Sequence, residues 1–597
     1  MNAHGVHSKL VNNLHIIDKR MTAAGTRLGL TPCETEYDLV TDAQMAANLI
    51  YVAMPTHYRH WRYGKHAAQE PRMGHVFEVV INSDPSVCYL GLTNDIVMQA
   101  LVIAHAKWGH VDFFHNNFLF RETLPKSVIE RFATNKAFID RLIAHPDWRW
   151  AGVEAYLDSA HALESHVGWL PSLPEVQVPD KMQREELMEQ LRKLKGQYAQ
   201  TKVTDDLTVL ARDIQELETR LKCHPLVPTT DLLGFLADPD NCPHLPSEAR
   251  DLILIVREQS RYFQPQGRTK FMNEGWATYW EMDVMKQPEV ALPFDMTFDA
   301  ARYWAMFDSQ PANWYLDPYA LGELLWRHID QKYGYDEGSE KVKYKTLTLT
   351  DDGDLVEGDK WRTKTVTKRN RNKMFQVRRT YDDNRFLDEF ISKEFFEGVN
   401  LKALAWMRGS KGKVGLMEQI NKKLRDAGWG PSVIFDPLPD TLEGLMNVVQ
   451  TWLNLAQNSQ NWHQNAGLPQ FPVHESTLQQ MATVLQLVGA FDEDWDQARR
   501  QLVLRTGYNS VPHIQLIDTG RFTDGVWTLQ HTYDSTFGPL LQSDARDTLK
   551  HFRFLCGAPV RLLTMEQPVD WAGRPYGDPV PFEYFTEDGE TVKEQYL

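Results

Sequence analysis

Three histidines, His105, His110 and His115, interrupt an otherwise apolar segment, QALVIAHAKWGHVDFFHNN, at residues 99–117. The apolar residues predict a buried helix, and each histidine in it needs a partner because unsatisfied polar groups are costly in an apolar interior. Neutral imidazole is also the commonest protein ligand for metals. The segment therefore constrains the fold, since other parts of the chain must bring partners to these histidines.

The spacing of the first two histidines predicts an irregular helix. His105 and His110 are five positions apart, which places them off a single face of an α-helix. Gly109, just before His110, indicates a wide turn or a π-bulge that would realign them. Such bulges often occur at functional sites.

Two further segments carry polar residues that could complete a site, EAYLDSAHALESH (154–166) and MNEGWATYWE (272–281). In the first, Glu154, Asp158 and His161 are spaced by four and three positions, so they share a helix face. Asp-x-x-His also has the spacing found in carboxylate-bridged metal bundles.

In the second segment, Glu274 and Glu281 share a helix face. Histidines and carboxylates without a neighbouring cysteine suit a divalent metal, zinc first, with iron or manganese as alternatives. The predicted metal ligands are His105, His110, His161, Asp158 and Glu274.

The histidine segment does not contain the HExxH motif of zinc peptidases, because HAKWGH has the wider spacing and no glutamate after His105. If the chain is a hydrolase, the general base must come from elsewhere, and Glu274, Glu281 and Glu154 are the predicted catalytic residues. The alternative is that the histidines are hydrogen-bonded to carboxylates and only support helix packing.

Composition predicts a soluble globular protein of the cytoplasm. The net charge of −16 argues against nucleic-acid binding through a wide basic surface. Five scattered cysteines fit reduced thiols and no disulfide framework. The first residues contain no apolar core of a signal peptide, and no apolar run is long enough to predict a membrane span.

Helical periodicity dominates the chain and predicts a mainly α fold: a multi-helix core, an inserted β-hairpin and a small α+β C-terminal domain. The predicted parts are an N-terminal helical part (1–175), a charged helical hairpin with a linker (176–246), a helical part with an inserted basic hairpin at 340–380 (247–435), a helical Gln/Asn-rich insertion (436–500) and the α+β domain (501–597).

The histidine segment, with MPTHYRHWRYGK (54–65), EVVINSDP (78–85), LDSAHAL (157–163), MNEGWATYW (272–280) and DPYALG (317–322), resembles the SpoVR family, named for stage V sporulation protein R. The order of motifs matches and the resemblance is dense from about residue 35 to 335. It implies a bacterial, cytoplasmic protein linked to sporulation or stress physiology. It also implies a serine protein kinase and a von Willebrand factor A-type protein as partners.

The resemblance carries over to individual residues. His105, Gly109 and His110 match the H-x-x-x-G-H pattern of the family, and Glu274 lies in its NEGW motif. Glu154, Asp158 and His161 match the next helix of the family.

Two positions depart from the family pattern. The family usually has lysine at the position of His115 and histidine at that of Glu281. His115 is therefore not expected to be a ligand, whereas Glu281 could replace a histidine ligand.

The sequence thus predicts a metal-dependent hydrolase of peptide or amide bonds, with His105, His110 and Glu274 as ligands. His161 or Asp158 would be a further metal ligand or would hydrogen-bond to a ligand. The alternative is a non-catalytic assembly or regulatory protein that works with the kinase and the von Willebrand factor A-type protein, in which the cluster is structural.

Overall fold

The computed structural model describes residues 3–45, 78–168, 180–201, 203–293, 318–398, 417–430, 433–436, 442–462, 471–479, 511–533, 539–566 and 577–597, with a few single residues or pairs between these ranges. Within them the chain forms two compact units of discontinuous segments. The first contains residues up to 45, 78–120 and 266–503, and the second contains 121–265 and 511–597. Segment 54–65 and most of the predicted break at 171–180 lie outside the described residues.

Helices account for most of the described chain, as predicted. They are α1 (Ala3–Arg27), α2 (Ile96–Ile103), a π-helix (Ala104–Val111), α3 (Asp112–Asn116), α4 (Val128–Ala144), α5 (Arg149–Ala162), α6 (Asp180–Gln200), α7 (Thr204–Lys222), α8 (Leu232–Ala237), α9 (Ser247–Arg268), α10 (Lys270–Met285), α11 (Pro318–Tyr333), α12 (Asn372–Thr380), α13 (Asp383–Phe390), α14 (Lys393–Gly398), α15 (Leu442–Trp462) and α16 (Gln542–Cys556). In the parts of the chain that are described, no helix combines the length and apolarity that crossing a lipid bilayer requires.

The strands form three small sheets. They are β1 (Thr35–Val40), β2 (Glu78–Ile81), β3 (Ser86–Gly91), β4 (Tyr335–Leu349), β5 (Leu355–Asn370), β6 (Ile514–Asp518), β7 (Trp527–His531), β8 (Val560–Glu566), β9 (Val580–Thr586) and β10 (Lys593–Tyr596). The sheet orders are β1-β3-β2, β4-β5 and β10-β9-β8-β7-β6. The segment VFEVVINS (76–83) predicts one strand, and β2 lies within it, whereas β1 and β3 have no predicted counterpart.

Helix α10 lies at the centre of the first unit and is buried on most of its surface. Its Trp276 and Trp280 are fully buried and pack edge to face, with ring centroids 5.5 Å apart. Trp276 also packs against Trp326 of α11 at 4.8 Å. Aromatic pairs in this arrangement stabilise a core beyond the apolar area they bury. The helix that carries the NEGW motif is thus held rigidly.

Strands β4 and β5 form the predicted hairpin and pair antiparallel over most of their length. The prediction carried the basic second strand beyond residue 370, but β5 ends at Asn370 and residues 372–380 form α12. This helix turns its Arg378 into the core, where it pairs with the buried Asp112. A contact between residues so distant in sequence leaves no local pattern. Arg378 also lies in a run of basic residues, so the sequence did not distinguish it from exposed cations.

The second unit contains the charged hairpin and the C-terminal domain. Helices α6 and α7 form the predicted hairpin, joined by an ion pair between Lys195 and Glu218. The C-terminal sheet is antiparallel except that β7 and β8 are parallel, and α16 connects those two strands. A helical crossover is the usual connection between parallel strands. These elements confirm the predicted α+β character of the C-terminal region.

Candidate metal centre

A π-helix carries the first two histidines of the site. It spans Ala104–Val111 and follows α2 without a break. Its wider turn brings residues five positions apart onto the same side, which an α-helix does not. The rings of His105 and His110 therefore meet, with centroids 4.7 Å apart and planes at 78°. The irregular helix that Gly109 predicted is confirmed.

Glycines bring the backbone of the π-helix against α10. A Cβ atom at Gly109 would lie 2.4 Å from both the Cα and the Cβ of Ala277, so only glycine fits there. On the other side of α10, a Cβ at Gly275 would lie 2.2 Å from the carbonyl carbon of Gly322 in α11. The π-helix and α11 thus contact α10 closely, and this contact sets the distance between Glu274 and the histidines.

His105, His110 and Glu274 form a compact cluster. The Oε2 atom of Glu274 lies 3.5 Å from Nε2 of His110 and 4.0 Å from Nε2 of His105. One potential ligand atom from each side chain lies within 4.8 Å of the others. Among the residues that the structure describes, no other group of three or more His, Cys, Asp or Glu side chains meets this criterion. Tetrahedral coordination with bonds of about 2.1 Å requires ligand atoms about 3.4 Å apart, so a small contraction would suffice.

Glu281 fixes the orientation of His105. One of its carboxylate oxygens lies 2.9 Å from Nδ1 of His105, and both side chains are mostly buried. A carboxylate in this position accepts the Nδ1–H proton and leaves Nε2 with its lone pair, directed at Glu274. Histidines that bind metals usually donate their other ring proton in this way.

The electrostatics of the cluster favour a cation. Burial lowers the pKa of His110 below its ordinary value, and Glu274 only partly opposes this shift. The ring is therefore neutral at physiological pH, as a ligand must be. The Oε2 atom of Glu274 is buried without a hydrogen-bond partner. Buried polar atoms in this state are rare, and a carboxylate oxygen beside neutral imidazoles fits a bound cation.

Comparison with known proteins agrees with this arrangement of motifs. A family model described as SpoVR like protein matches residues 8–429, more than half of the 597-residue chain. The chain belongs to the SpoVR family. The resemblance drawn from the sequence motifs is thereby confirmed.

This SpoVR chain is similar to a curated protein, "Uncharacterized protein YcgB" from Escherichia coli (strain K12). The two are 34% identical over 312 residues, which cover 49% of the chain and 59% of the relative. The chain thus spans less than two thirds of the length of that relative. No solved structure matches the chain.

The SpoVR cluster does not include the predicted residues of segment 154–166. Glu154, Asp158 and His161 all lie on α5, which belongs to the second unit. There His161 pairs through Nδ1 with Glu164 at 3.1 Å, Asp158 acts on the pKa of His551, and Glu154 is exposed. These residues do share a face as predicted, but periodicity alone could not show which unit that face belongs to.

His115 has a structural contact. Its Nε2 lies 3.1 Å from the hydroxyl of Ser86, which itself donates to the carbonyl of Ser83. The hydroxyl proton is thus engaged, so the imidazole is the donor to Ser86. His115 is not part of the group of side chains that could hold a metal, and its exclusion as a ligand stays a prediction.

Two aromatic rings that the sequence reasoning missed lie against the histidines. Tyr319 of α11 stacks on His105 with centroids 6.2 Å apart, and Phe114 stacks on His110 at 6.0 Å. Phe114 is buried, whereas Tyr319 is 44% exposed. His105 and Glu274 also keep 14% and 17% of their side-chain exposure, so both are partly open to solvent. The sequence signal that could have identified Tyr319 as a site residue is the DPYALG motif, which contains it.

Proposed function

We propose that this SpoVR protein binds one divalent metal, zinc first, through His105, His110 and Glu274, and hydrolyses peptide or amide bonds. The observation that carries the proposal is the buried Oε2 of Glu274, which faces Nε2 of both histidines and has no hydrogen-bond partner. Iron and manganese accept the same ligands and are the alternatives.

The ligand set favours catalysis over a purely structural role. Two histidines and one glutamate are the ligands of known catalytic zinc sites, which keep a fourth position for water or substrate. A metal bound there would lower the pKa of a coordinated water and polarise a substrate carbonyl. The partial exposure of His105 and Glu274 gives a substrate access to that side.

The residues around the ligands have separate proposed roles. Glu281 holds His105 with Nε2 directed at the cluster. Of the three glutamates predicted to act as general base, Glu274 is needed as a ligand, and Glu281 contacts the cluster through Nδ1 of His105. Tyr319 would contact a substrate because its ring covers His105 and remains partly exposed.

The test of the metal is its content in protein purified without chelators or a histidine tag. We expect about one zinc per chain, bound to the three-ligand site. His110→Ala and Glu274→Gln should each abolish it, and a chelator should lower the melting temperature of the wild type alone, because metal binding contributes to folding free energy. His513→Ala, at an exposed position, and Glu248→Gln, at a partly exposed one, are the matched controls. A wild type that stays metal-free after incubation with zinc, iron and manganese contradicts the proposal.

The test of catalysis uses the metal-loaded protein and a fluorogenic peptide library. Turnover should require the metal and disappear in Glu274→Gln. Cobalt substitution shows whether the metal has an open coordination position. Added anions change the visible spectrum of cobalt in an open site, but they do not change it in a site closed by four protein ligands. A closed site without turnover would favour the alternative function, an assembly protein with a structural metal cluster.

We further propose that the protein acts in the cytoplasm, in sporulation or stress physiology, with a serine protein kinase and a von Willebrand factor A-type protein as partners. Family membership and five cysteines that are all free thiols support this. The α6–α7 hairpin is the proposed contact, because it exposes Met182, Met188 and Val209 among its charges. Its deletion should abolish capture of the purified partners and leave the metal bound. Undiminished capture would remove the hairpin from the proposal.

A further inference from the structure

The middle of the β4–β5 hairpin, residues 341–345 and 359–365, carries an excess of basic side chains on an acidic protein. Six of its cations form no ion pair within the described residues, although the chain as a whole has a net charge of −16. These are Lys341, Lys343, Lys345, Lys360, Arg362 and Lys364. Trp361 lies among them, 67% exposed, with the ammonium group of Lys345 5.5 Å from its ring centroid. Charged groups concentrated in this way favour an anionic partner.

The two edges of this hairpin differ. Arg20, which is buried, donates to the backbone carbonyl of Lys345 at 2.9 Å and so covers the β4 edge there. Residues 359–365 of β5 are all exposed, and none of their backbone groups bonds to anything other than β4 in the described chain. The edge of β5 is therefore open, and a long open edge is a template for another strand.

The contact with Arg20 also fixes which β5 groups face the open edge. The carbonyls of Lys345 and of Thr346, which lies in the register shift, both accept from Arg20 and so point away from β5. Lys345 is the last residue in regular register, and it therefore forms a pair with Trp361 that lacks mutual hydrogen bonds. By the alternation of an antiparallel ladder, the same holds for the pairs that contain Thr363 and Thr365. The N–H and C=O groups of Trp361, Thr363 and Thr365 thus point outward and can accept an added strand.

The side chains of the intervening residues determine which strand fits. Arg362 and Lys364 alternate with the outward-facing residues, so they project on one face of the hairpin about 7 Å apart, and Lys360 lies in the register shift beside them. A strand added to β5 would place alternate side chains directly opposite these cations. Opposite charges in such cross-strand pairs stabilise a sheet, and like charges destabilise it.

We propose that the β5 edge binds an acidic, extended segment of a partner protein by strand addition. Backbone hydrogen bonds to Trp361, Thr363 and Thr365 supply affinity, and carboxylates at alternate positions of the segment pair with Arg362 and Lys364. The same cations repel the β5 edge of a second copy, so they prevent self-association while they select an acidic strand. This surface belongs to the first unit and does not depend on the metal site.

The test uses full-length protein and a fluorescent peptide of alternating glutamate and valine, about ten residues long, which matches the upper end of natural strand length. Fluorescence anisotropy should detect binding that the lysine–valine peptide lacks. Arg362→Glu with Lys364→Glu should weaken it by at least about tenfold, because the opposed charges become alike. The control is Lys422→Glu with Lys423→Glu, which makes the same charge change at exposed positions and should have no effect.

Thr365→Pro separates strand addition from simple charge attraction. Its N–H faces the open edge, so proline removes a hydrogen-bond donor to the peptide without removing one from the β4–β5 ladder. Binding should fall while the circular dichroism spectrum and the positive charge stay the same. Three results would overturn the proposal: equal binding by Thr365→Pro, no binding by the wild type at millimolar peptide, or preferential binding of a single-stranded thymidine oligonucleotide, which would identify a nucleic-acid surface.

Discussion

Nδ1 of His105 lies 2.9 Å from a carboxylate oxygen of Glu281, on the far side of the ring from Glu274. The two glutamates are two helical turns apart on α10 and contact opposite nitrogens of one imidazole. One helix therefore supplies both the proposed carboxylate ligand and the group that orients the histidine. This geometry predicts different consequences for the loss of each glutamate.

Replacement of Glu281 should weaken metal binding without abolishing it. We expect Glu281→Ala to raise the zinc dissociation constant by about 10- to 100-fold, as is typical when the partner of a metal-bound histidine is lost. Glu281→Gln keeps an oxygen that can accept the Nδ1–H proton, so its effect should be smaller. Titration against a chromogenic chelator measures both. Glu323→Gln, a buried glutamate paired with Arg327 on α11, is the control. Complete loss of zinc in Glu281→Ala would instead make Glu281 a ligand.

Gly109→Ala should damage both the fold and the site. The new methyl group would lie 2.4 Å from backbone and side-chain atoms of Ala277, so the π-helix and α10 must separate. Overpacking of this kind costs about 1–3 kcal/mol, and the separation moves Glu274 away from the histidines. The free energy of unfolding measured in urea and the zinc content should both fall.

Gly196→Ala is the matched control for this prediction. No atom lies within 4 Å of a Cβ at Gly196, which is in the interior of α6. Alanine there should stabilise the protein by about 0.5–1 kcal/mol, because it reduces the freedom of the unfolded chain. If Gly109→Ala behaved in the same way as Gly196→Ala, the close contact would not determine the site.

The sequence predicted those parts of the site that depend on local spacing. His105 and His110 required an irregular helix to meet, and Gly109 marked its position. Glu274 was identified by its motif. The pattern of Glu154, Asp158 and His161 was equally regular, yet that helix is in the other unit. Periodicity identifies a face but carries no information about what the face contacts.

The missed features are contacts between distant parts of the chain. The stacking of Tyr319 on His105 joins α11 to the π-helix, and the pairing of Arg378 with Asp112 joins α12 to α3. Such contacts depend on the packing of whole helices. The parallel pairing of β1 with β3 was missed for the same reason, because the alternation within β1 carries no information about its partner strand.

Asp112→Ala should destabilise the first unit strongly. Asp112 is fully buried, pairs with Arg378 and accepts hydrogen bonds from Trp276 Nε1 and the backbone of Thr31. Removal of one partner from a buried ion pair leaves an uncompensated charge, and typically costs about 3–5 kcal/mol. Denaturant unfolding measures this cost.

The exposed pair between Lys136 and Asp140 provides the comparison. Their side chains are 53% and 56% exposed, so water screens the interaction. Asp140→Ala should change stability by no more than about 0.5 kcal/mol. Equal effects of Asp112→Ala and Asp140→Ala would mean that the buried pair contributes no more than a surface pair.

The last prediction concerns the pH dependence of the second unit. Burial lowers the pKa of His551 below 6.5, although Asp158 and Asp547 oppose the shift, and Lys550 adds to it. The folded state therefore binds this proton less tightly than the unfolded state. Neutral His551 therefore contributes to the free energy of unfolding above about pH 6.5. This contribution is lost as the pH falls through 6.5 toward the lower pKa of the folded state.

His551→Asn tests this assignment, since it keeps a donor for the hydroxyl of Ser159 but cannot take up a proton. Urea unfolding of the second unit between about pH 5 and 7.5 should show a smaller loss of stability in acid than in the wild type. Asp158→Asn should have the opposite effect, because it removes a charge that favours the protonated ring. His513→Asn, at an exposed position, should leave the wild-type profile unchanged. The same acid loss in His551→Asn as in the wild type would show that other groups cause it.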